Sequence, residues 1–296
     1  MKFLFLNIFL FYMLNVFNLT DSLIKPIINK KYLIPSNNDI SPGFRRTCAD
    51  DNPVVSGGTE RRMIPCGEKN SLVFTDTKKY FKDKKVISLN TEGYYGFYLM
   101  GICSYIKENY DISDYKFLGS SAGAWNALYM TLKSDPKFMI NTIVKNDIYK
   151  NKNIFQIDYE IKDRILQYYK TNEFDLDKLF ISVSTFGQTN IYTDFENLED
   201  AIDCCIASSY IPYVTGSIIN KYKNKIFTGE EFEEYPYLNK DTFFITKSIW
   251  NWNRNQKLNF LNLEKLYEKG YLDSIEYGNE ILNKQFNCIK KNIEVN

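Results

Sequence analysis

The chain has 296 residues, enough to bury a sizeable core in a single α/β domain. Its 37 basic and 36 acidic residues give a net charge of +1, and no basic stripe indicates a nucleic-acid partner. The chain contains no histidine, which excludes a Ser-His-Asp triad, a Cys-His dyad and an H-E-x-x-H zinc site, and nothing else indicates a cofactor or a metal.

Residues 1–22 are predicted to be a signal peptide. Lys2 precedes an apolar run from Phe3 to Phe17, and fifteen residues are short for a membrane span but suit a signal-peptide core. A membrane anchor that is retained is the alternative. Both interpretations predict entry into the secretory pathway, with the chain secreted or anchored through residues 3–17.

Residues 23–84 are predicted to form an irregular extension, since proline, glycine and charged residues interrupt every periodic pattern there. Cys48 and Cys66 lie within it. In a secretory compartment they are candidates for a local disulfide, and two free thiols are the alternative because spacing alone fixes no pairing.

The folded domain is predicted to span residues 85–296. Val86–Leu89 has the pattern of a buried strand, followed by a turn containing Gly93 and Gly96 and a helix over 97–110. A second strand, Tyr115–Leu118, leads into another turn and helix. This alternation predicts a three-layer α/β/α sandwich with a mostly parallel central sheet. Both turns are then expected at the carboxyl ends of adjacent strands, where open α/β sheets bind ligands.

The second turn is a G-x-S-x-G sequence, Gly119-Ser120-Ser121-Ala122-Gly123. The glycines and the small Ala122 allow a strained turn that exposes the Ser121 hydroxyl, and the helix after it directs free N–H groups at an oxyanion. We therefore predict Ser121 as a nucleophile. Without histidine, its base must be a carboxylate, a lysine or a residue of another chain.

The remaining pattern predicts a series of shorter elements and a C-terminal helical hairpin hinged on Gly270. They are helices over 136–149, 157–171 and 198–209, strands over 180–185, 191–195, 224–227 and 241–246, and hairpin helices over 258–269 and 271–290.

Several motifs together resemble the patatin-like phospholipases, in the same order over residues 86–278. Gly93 and Gly96 with the following helix are similar to the family's oxyanion loop, and Ser121 falls on its nucleophile. The segment 207–212, A-S-S-Y-I-P, is similar to its A-S-x-x-I-P motif, and 270–273, G-Y-L-D, to its closing G-Y-x-D pattern. The resemblance implies a Ser-Asp dyad without histidine, an oxyanion hole at the N–H groups of Gly93 and Ala122, and lipid or phospholipid substrates met at a membrane surface.

The chain departs from the family pattern at two places. Where the family has Asp-Gly-Gly, this chain has Thr228-Gly229-Glu230, and a threonine cannot accept the serine proton at neutral pH. Glu230, or its neighbour Glu231, is the candidate base, with a solvated acidic turn as the alternative. Glu92 stands where the family usually has glycine, and its charge opposes an oxyanion.

Two hypotheses follow. The first is a patatin-like serine acyl hydrolase of the phospholipase or lipase type, acting on lipid esters through Ser121. The second is a catalytically impaired relative that binds lipid or a protein partner, because Thr228 replaces the dyad aspartate.

Overall fold

A computed structural model describes ten segments of the chain, all within one compact unit, Glu68–Asn296. They are residues 73–74, 81–90, 93–134, 136–143, 154–185, 188–211, 220–223, 225–227, 241–250 and 262–288. The predicted signal peptide, Cys48 and Cys66 lie outside these residues. No helix in the described segments has the length and hydropathy of a membrane span.

The described segments contain ten strands and six α-helices. The strands are β1 (Val73–Phe74), β2 (Lys85–Leu89), β3 (Tyr110–Asp111), β4 (Tyr115–Ser120), β5 (Leu179–Thr185), β6 (Gln188–Tyr192), β7 (Asn220–Tyr222), β8 (Lys225–Phe227), β9 (Thr242–Ile245) and β10 (Asn287–Cys288). The helices are α1 (Gly96–Asn109), α2 (Ala122–Thr131), α3 (Pro136–Ile143), α4 (Ile154–Tyr168), α5 (Leu198–Ser209) and α6 (Leu263–Gln285).

Six of these strands form one sheet in the order β1-β6-β5-β4-β2-β9. The four adjacent strands β5, β4, β2 and β9 are parallel, whereas β6 is antiparallel to both of its neighbours. Strand β2 is followed by α1 and β4 by α2, so the crossover connections that parallel strands need are helical. The protein is therefore an α/β protein with a mostly parallel sheet, as predicted.

Both faces of the central strands are buried, since residues 86–89 of β2 and 179–184 of β5 are all buried, including Ser88, Ser182 and Ser184. On one face, Ile87, Phe117 and Ile181 belong to the main core together with the buried sides of the helices. On the other face, Val86, Leu118, Phe180 and Ile191 form a smaller cluster with Phe81.

The prediction of a C-terminal helical hairpin hinged on Gly270 is wrong. Residues 263–285 form the single uninterrupted helix α6. A β-carbon on Gly270 would lie 2.0 Å from the carbonyl oxygen of Tyr98 in α1. The glycine therefore allows close helix packing, and it is not a hinge.

Two other predictions need adjustment. Strand β6 occupies 188–192 and not 191–195, because it pairs with β5 directly across the hairpin, with Thr185 opposite Gln188. Part of the segment predicted as irregular also belongs to the sheet unit, since β1 pairs with β6 and Phe81 is fully buried.

Candidate active site

Ser121 is the single residue between β4 and α2. Its backbone angles, φ 53° and ψ −124°, lie outside the regions that residues with a β-carbon normally adopt. Such a conformation costs about 1–3 kcal/mol, so the surrounding structure must impose it. A strained serine between a strand and a helix is the geometry of a nucleophile elbow, and the Ser121 residue is half-buried at this point.

Gly119 and Gly123 make the turn sterically possible. A β-carbon on Gly119 would lie 2.3 Å from the carbonyl oxygen of Gly123, and one on Gly123 would lie 2.0 Å from the carbonyl oxygen of Leu89. Both obstacles are backbone atoms, which cannot rotate away as a side chain does. Leu89 ends β2 and pairs with Gly119, so this contact presses the start of α2 against the neighbouring strand.

A buried serine on α5 holds the strained residue in place. The Ser121 N–H donates a hydrogen bond to Ser208 Oγ over 2.7 Å, and the Ser208 hydroxyl donates to the carbonyl oxygen of Ser182 over 2.6 Å. Ser208 is fully buried. Its neighbour Ser209 accepts a 2.9 Å hydrogen bond from the indole N–H of Trp125 on α2. Ser208 and Ser209 thus hold the elbow through its backbone and through Trp125.

The turn after β2 lies beside the elbow. Gly93 has a φ of 53° and begins a short 3-10 turn that continues into α1. A β-carbon on Gly96 would lie 2.8 Å from the Ala122 β-carbon. The buried Asn126 side-chain amide donates to the carbonyl oxygens of Gly96 over 2.9 Å and Ala122 over 3.3 Å. The N-terminal ends of α1 and α2 are therefore fixed side by side.

These two helix ends create a positive potential next to Ser121. Neither helix has an acidic residue in its first turn, and neither N-cap residue, Tyr95 or Ser121, makes a side-chain capping hydrogen bond. A helix N-terminus carries the equivalent of about half a positive charge and leaves its first N–H groups free for an anion. Because the Ser121 N–H is already bonded to Ser208, Ala122 offers the first free N–H of α2 to an oxyanion.

Helix α1 is itself anchored by the segment that resembles a G-Y-x-D pattern. The carboxylate of Asp273, 1% exposed, accepts a 2.8 Å hydrogen bond from the Tyr98 hydroxyl and pairs with Lys269. Burial, and then this hydrogen bond, raise the pKa of Tyr98 well above its usual range. Since Gly270 also packs on Tyr98, the motif fixes the first turn of α1, which directly follows the Gly93 turn.

Half-buried aromatic side chains accompany both turns. Tyr94 and Tyr95 directly follow Gly93, Trp125 lies one turn after Ser121, and all three pack against the main core. The pKa of Tyr94 is raised, first by burial and then by the negative charge of Asp158 on α4. Half-buried aromatic residues therefore flank both turns.

In the structure Ser121 and Ala122 are consecutive residues at the start of α2, and the Gly93 turn, which continues into Gly96, lies next to Ala122. Thr228, Gly229, Glu230, Glu231 and Glu92 lie outside the described residues. Sequence analysis assigned no role to Ser208 or Asn126. For Ser208, the signal was its position inside the A-S-x-x-I-P-like segment, whereas an asparagine within a helix gives no comparable signal.

In the described segments, no group of three cysteine, aspartate or glutamate side chains could hold a metal ion. The chain matches no known protein-family model, and no curated protein is similar enough in sequence to count as a relative.

Proposed function

We propose that the protein is a patatin-like serine acyl hydrolase that acts on lipid esters, with Ser121 as the nucleophile. The observation that carries this proposal is the backbone of Ser121, which is held in a strained conformation between a parallel strand and a helix N-terminus. The fold that goes with it is a three-layer α/β/α sandwich, and the burial of both sheet faces supports that arrangement.

The geometry supports acyl transfer in the following way. Ser121 Oγ attacks the ester carbonyl carbon while a carboxylate, for which the sequence offers Glu230, takes its proton, and the carbonyl electron pair moves to oxygen to form an oxyanion. When this intermediate collapses, the ester C–O bond breaks and the alcohol leaves with that proton, and water then hydrolyses the acyl-enzyme. The N–H groups of Ala122 and the Gly93 turn stabilise that oxyanion, helped by the two helix N-termini. Donors that are already in place stabilise a transition state without reorganisation, and one such donor commonly contributes a factor of about 10²–10³ in rate.

A lipid substrate fits the aromatic residues that flank the site. Tyr94, Tyr95 and Trp125 lie in or next to the two turns and are half-buried, so their remaining surface favours an acyl chain over a short polar acyl group. We therefore expect kcat/KM to rise with acyl length in a series of p-nitrophenyl esters, and vesicle phospholipids to be hydrolysed.

Labelling with a fluorophosphonate tests the nucleophile directly. Wild-type protein should be labelled at one site, and Ser121→Ala should abolish both labelling and ester hydrolysis. Ser113→Ala is the matched control, because this serine is exposed and precedes β4 at the opposite end of the strand. Equal labelling of wild type and Ser121→Ala would overturn the proposal.

A second candidate is a lipid- or protein-binding relative without turnover. It is favoured by the threonine at position 228, where the resemblance requires the dyad aspartate. The two candidates differ in one result, because a non-catalytic protein would bind phospholipid vesicles while Ser121 stays unlabelled by the fluorophosphonate.

A further inference from the structure

The turn that follows β9 places a lysine at the same edge of the sheet as Ser121. Strands β4, β2 and β9 are parallel, and Gly119, Leu89 and Ile245 lie in one row across them. Ser121 and Lys247 each lie two residues beyond that row. Because neighbouring strands are about 4.8 Å apart, only about 10 Å of sheet separates the two turns.

A chain of contacts joins these two turns on the side of helices α1 and α2. The Lys247 ammonium group lies over the ring of Tyr95, 5.2 Å from the ring centre. Tyr95 directly precedes Gly96 at the start of α1. A β-carbon on Gly96 would lie only 2.8 Å from the β-carbon of Ala122, the residue after Ser121. One aromatic side chain and the helix start that carries it therefore separate the lysine from the elbow.

The turn that carries Lys247 is held in place by its neighbours. The Ile249 N–H donates a 3.2 Å hydrogen bond to the carbonyl oxygen of Thr246, and Trp250 is buried at the end of the turn. The hydroxyls of Thr246 and Ser248 lie 3.0 Å apart, on the residues that flank the lysine. Lys247 and Ser248 are both exposed. The turn thus presents a cation and two hydroxyls within reach of a ligand.

This combination of groups suits a phosphate. A lysine ammonium group is a common phosphate ligand with three N–H donors, and serine and threonine hydroxyls supply further donors. The contact with the Tyr95 ring restrains the ammonium group through the electrostatic attraction of the ring face, which does not consume a hydrogen-bond donor. The long lysine stem still lets the charge follow a ligand.

We propose that Lys247, with the hydroxyls of Thr246 and Ser248, binds the phosphate of a glycerophospholipid whose acyl ester lies at Ser121. This inference rests on the proposed hydrolase function and specifies its substrate class. In a glycerophospholipid the phosphate is only a few bonds from the acyl ester carbonyl, so one molecule reaches both groups. A neutral glyceride has no group for Lys247 to bind.

The two sides of Ser121 then receive different parts of the substrate. On the β9 side, Lys247 and its flanking hydroxyls bind the headgroup phosphate. On the β5 side lies α5, whose Ser208 hydroxyl donates to a β5 carbonyl oxygen. There the half-buried Trp125 has its indole N–H bonded to Ser209, so the surface that it keeps is apolar. The acyl chain is therefore expected to extend toward Trp125.

The test compares substrates that carry the same acyl chains with and without a phosphate. The full chain is assayed on a phosphatidylcholine and on the matching diacylglycerol, both in micelles of a neutral detergent. Lys247→Met should lower the ratio of kcat/KM on phosphatidylcholine to kcat/KM on diacylglycerol about tenfold, the effect of losing one charged hydrogen bond. Lys247→Arg should keep the ratio, because it keeps the charge.

Lys85→Met is the matched control. Lys85 is also exposed and also lies over a tyrosine ring, 5.7 Å from the centre of Tyr115, but at the amino end of β2. Its loss changes the net charge by the same amount, so the substrate ratio should stay at the wild-type value. An equal fall in Lys85→Met and Lys247→Met would overturn the inference, because it indicates a general attraction of positive charge to the lipid.

A free anion is the other source of a phosphate. Inorganic phosphate and dihexanoyl phosphatidylcholine below its micelle concentration are compared as inhibitors of p-nitrophenyl ester hydrolysis. The phospholipid should inhibit wild type more strongly than Lys247→Met, whereas inorganic phosphate should inhibit both weakly and equally. Stronger inhibition by inorganic phosphate than by the phospholipid, lost in Lys247→Met, would overturn the assignment to a lipid headgroup.

The results separate the inference from the proposed function. Fluorophosphonate labelling of Ser121, together with an unchanged substrate ratio in Lys247→Met, would overturn the phosphate site and leave the hydrolase standing. Absence of labelling in wild type would overturn the proposed function. Equilibrium dialysis with dihexanoyl phosphatidylcholine then decides on the site itself, since weaker binding to Lys247→Met than to Lys85→Met supports it and equal binding overturns it.

Discussion

The two ends of the same parallel strands are built in different ways. At the amino ends, β2 and β4 begin beside an open depression of about 500 Å³, lined mainly by charged side chains. Its residues include Asp83, Lys85, Asp111, Asp114, Asp241 and Lys284. At the carboxyl ends, the same strands lead into Gly93 and Ser121, and both of these residues have a positive φ. Helices α1 and α2 begin next to them, and neither N-cap residue makes a side-chain capping hydrogen bond.

The difference shows what marks the reactive end of the sheet. Charged groups at the amino ends remain in contact with water, as in the Lys85–Asp114 pair, whose side chains are 53% and 75% exposed. Exposed pairs of this kind stabilise a protein by only 0–1 kcal/mol. The carboxyl end instead stores strain, which persists only where close packing and buried hydrogen bonds impose it. Backbone geometry, and not the density of charge, therefore identifies the candidate site.

The largest loss of stability is expected from a substitution in the close contact between the start of α2 and the end of β2. In Gly123→Ala, the new β-carbon would lie 2.0 Å from the Leu89 carbonyl oxygen, so α2 or β2 must move. We expect a loss of roughly 3 kcal/mol in the free energy of unfolding, measured by urea denaturation, together with the loss of ester hydrolysis.

Gly278→Ala on α6 is the control for this substitution. Its β-carbon would meet the Leu282 side chain at 2.9 Å, and that methyl group can rotate away. Alanine also has the better helix propensity by up to about 1 kcal/mol, so we expect a change within about 1 kcal/mol of wild type. Equal stability of Gly123→Ala and wild type would contradict the close contact between α2 and β2.

A smaller effect is expected for Ser208→Ala. The substitution leaves the Ser121 N–H and the Ser182 carbonyl without their hydroxyl partner at a buried position. An unpaired buried group costs about 1–3 kcal/mol, so we expect a loss of about 2 kcal/mol in the free energy of unfolding and a lower kcat.

Ser209→Ala distinguishes support of the elbow from general packing of α5. Ser209 accepts only the Trp125 indole hydrogen bond among the described contacts, so its removal should cost about 1 kcal/mol and leave kcat nearly unchanged. If the two variants lower kcat equally, Ser208 has no special role in holding Ser121.

A still smaller effect on stability is expected for Gly93→Ala. The φ of 53° costs a residue with a β-carbon about 1 kcal/mol. Because an oxyanion exists only in the transition state, displacement of this turn should lower kcat more than it raises KM. Steady-state kinetics with a p-nitrophenyl ester measure this, and an unchanged kcat would remove the Gly93 turn from the oxyanion hole.

Much of the carboxyl end could be predicted from sequence because its signals are local. The strand before Ser121, the G-x-S-x-G spacing and the helix after it lie within residues 115–131, and the structure has each of them. Parallel pairing of β2 with β4 followed from the helix between them, and this pairing places the Gly93 turn at the same edge of the sheet as Ser121.

The contacts that support the site could not be predicted in the same way. The Ser208–Ser121 bond joins residues far apart in the sequence, and a buried serine has no periodic pattern of its own. Gly270 was misinterpreted for the same reason, because it closely approaches Tyr98, which lies 172 residues earlier in the chain on helix α1. Gly101 of the same helix packs equally closely on Tyr267. Local propensity alone favours a break at such a glycine.

The smallest effect is expected at the amino ends of the strands, and it tests the comparison most directly. Asp114→Asn removes the 3.5 Å contact with Lys85, but both side chains are largely exposed, so water and salt already screen the pair. The free energy of unfolding should stay within about 0.5 kcal/mol of wild type at 0.15 M salt, and kcat/KM should not change. A loss of activity in Asp114→Asn, with stability intact, would locate function in the charged depression. Ser121 would then be an ordinary serine held in a strained turn.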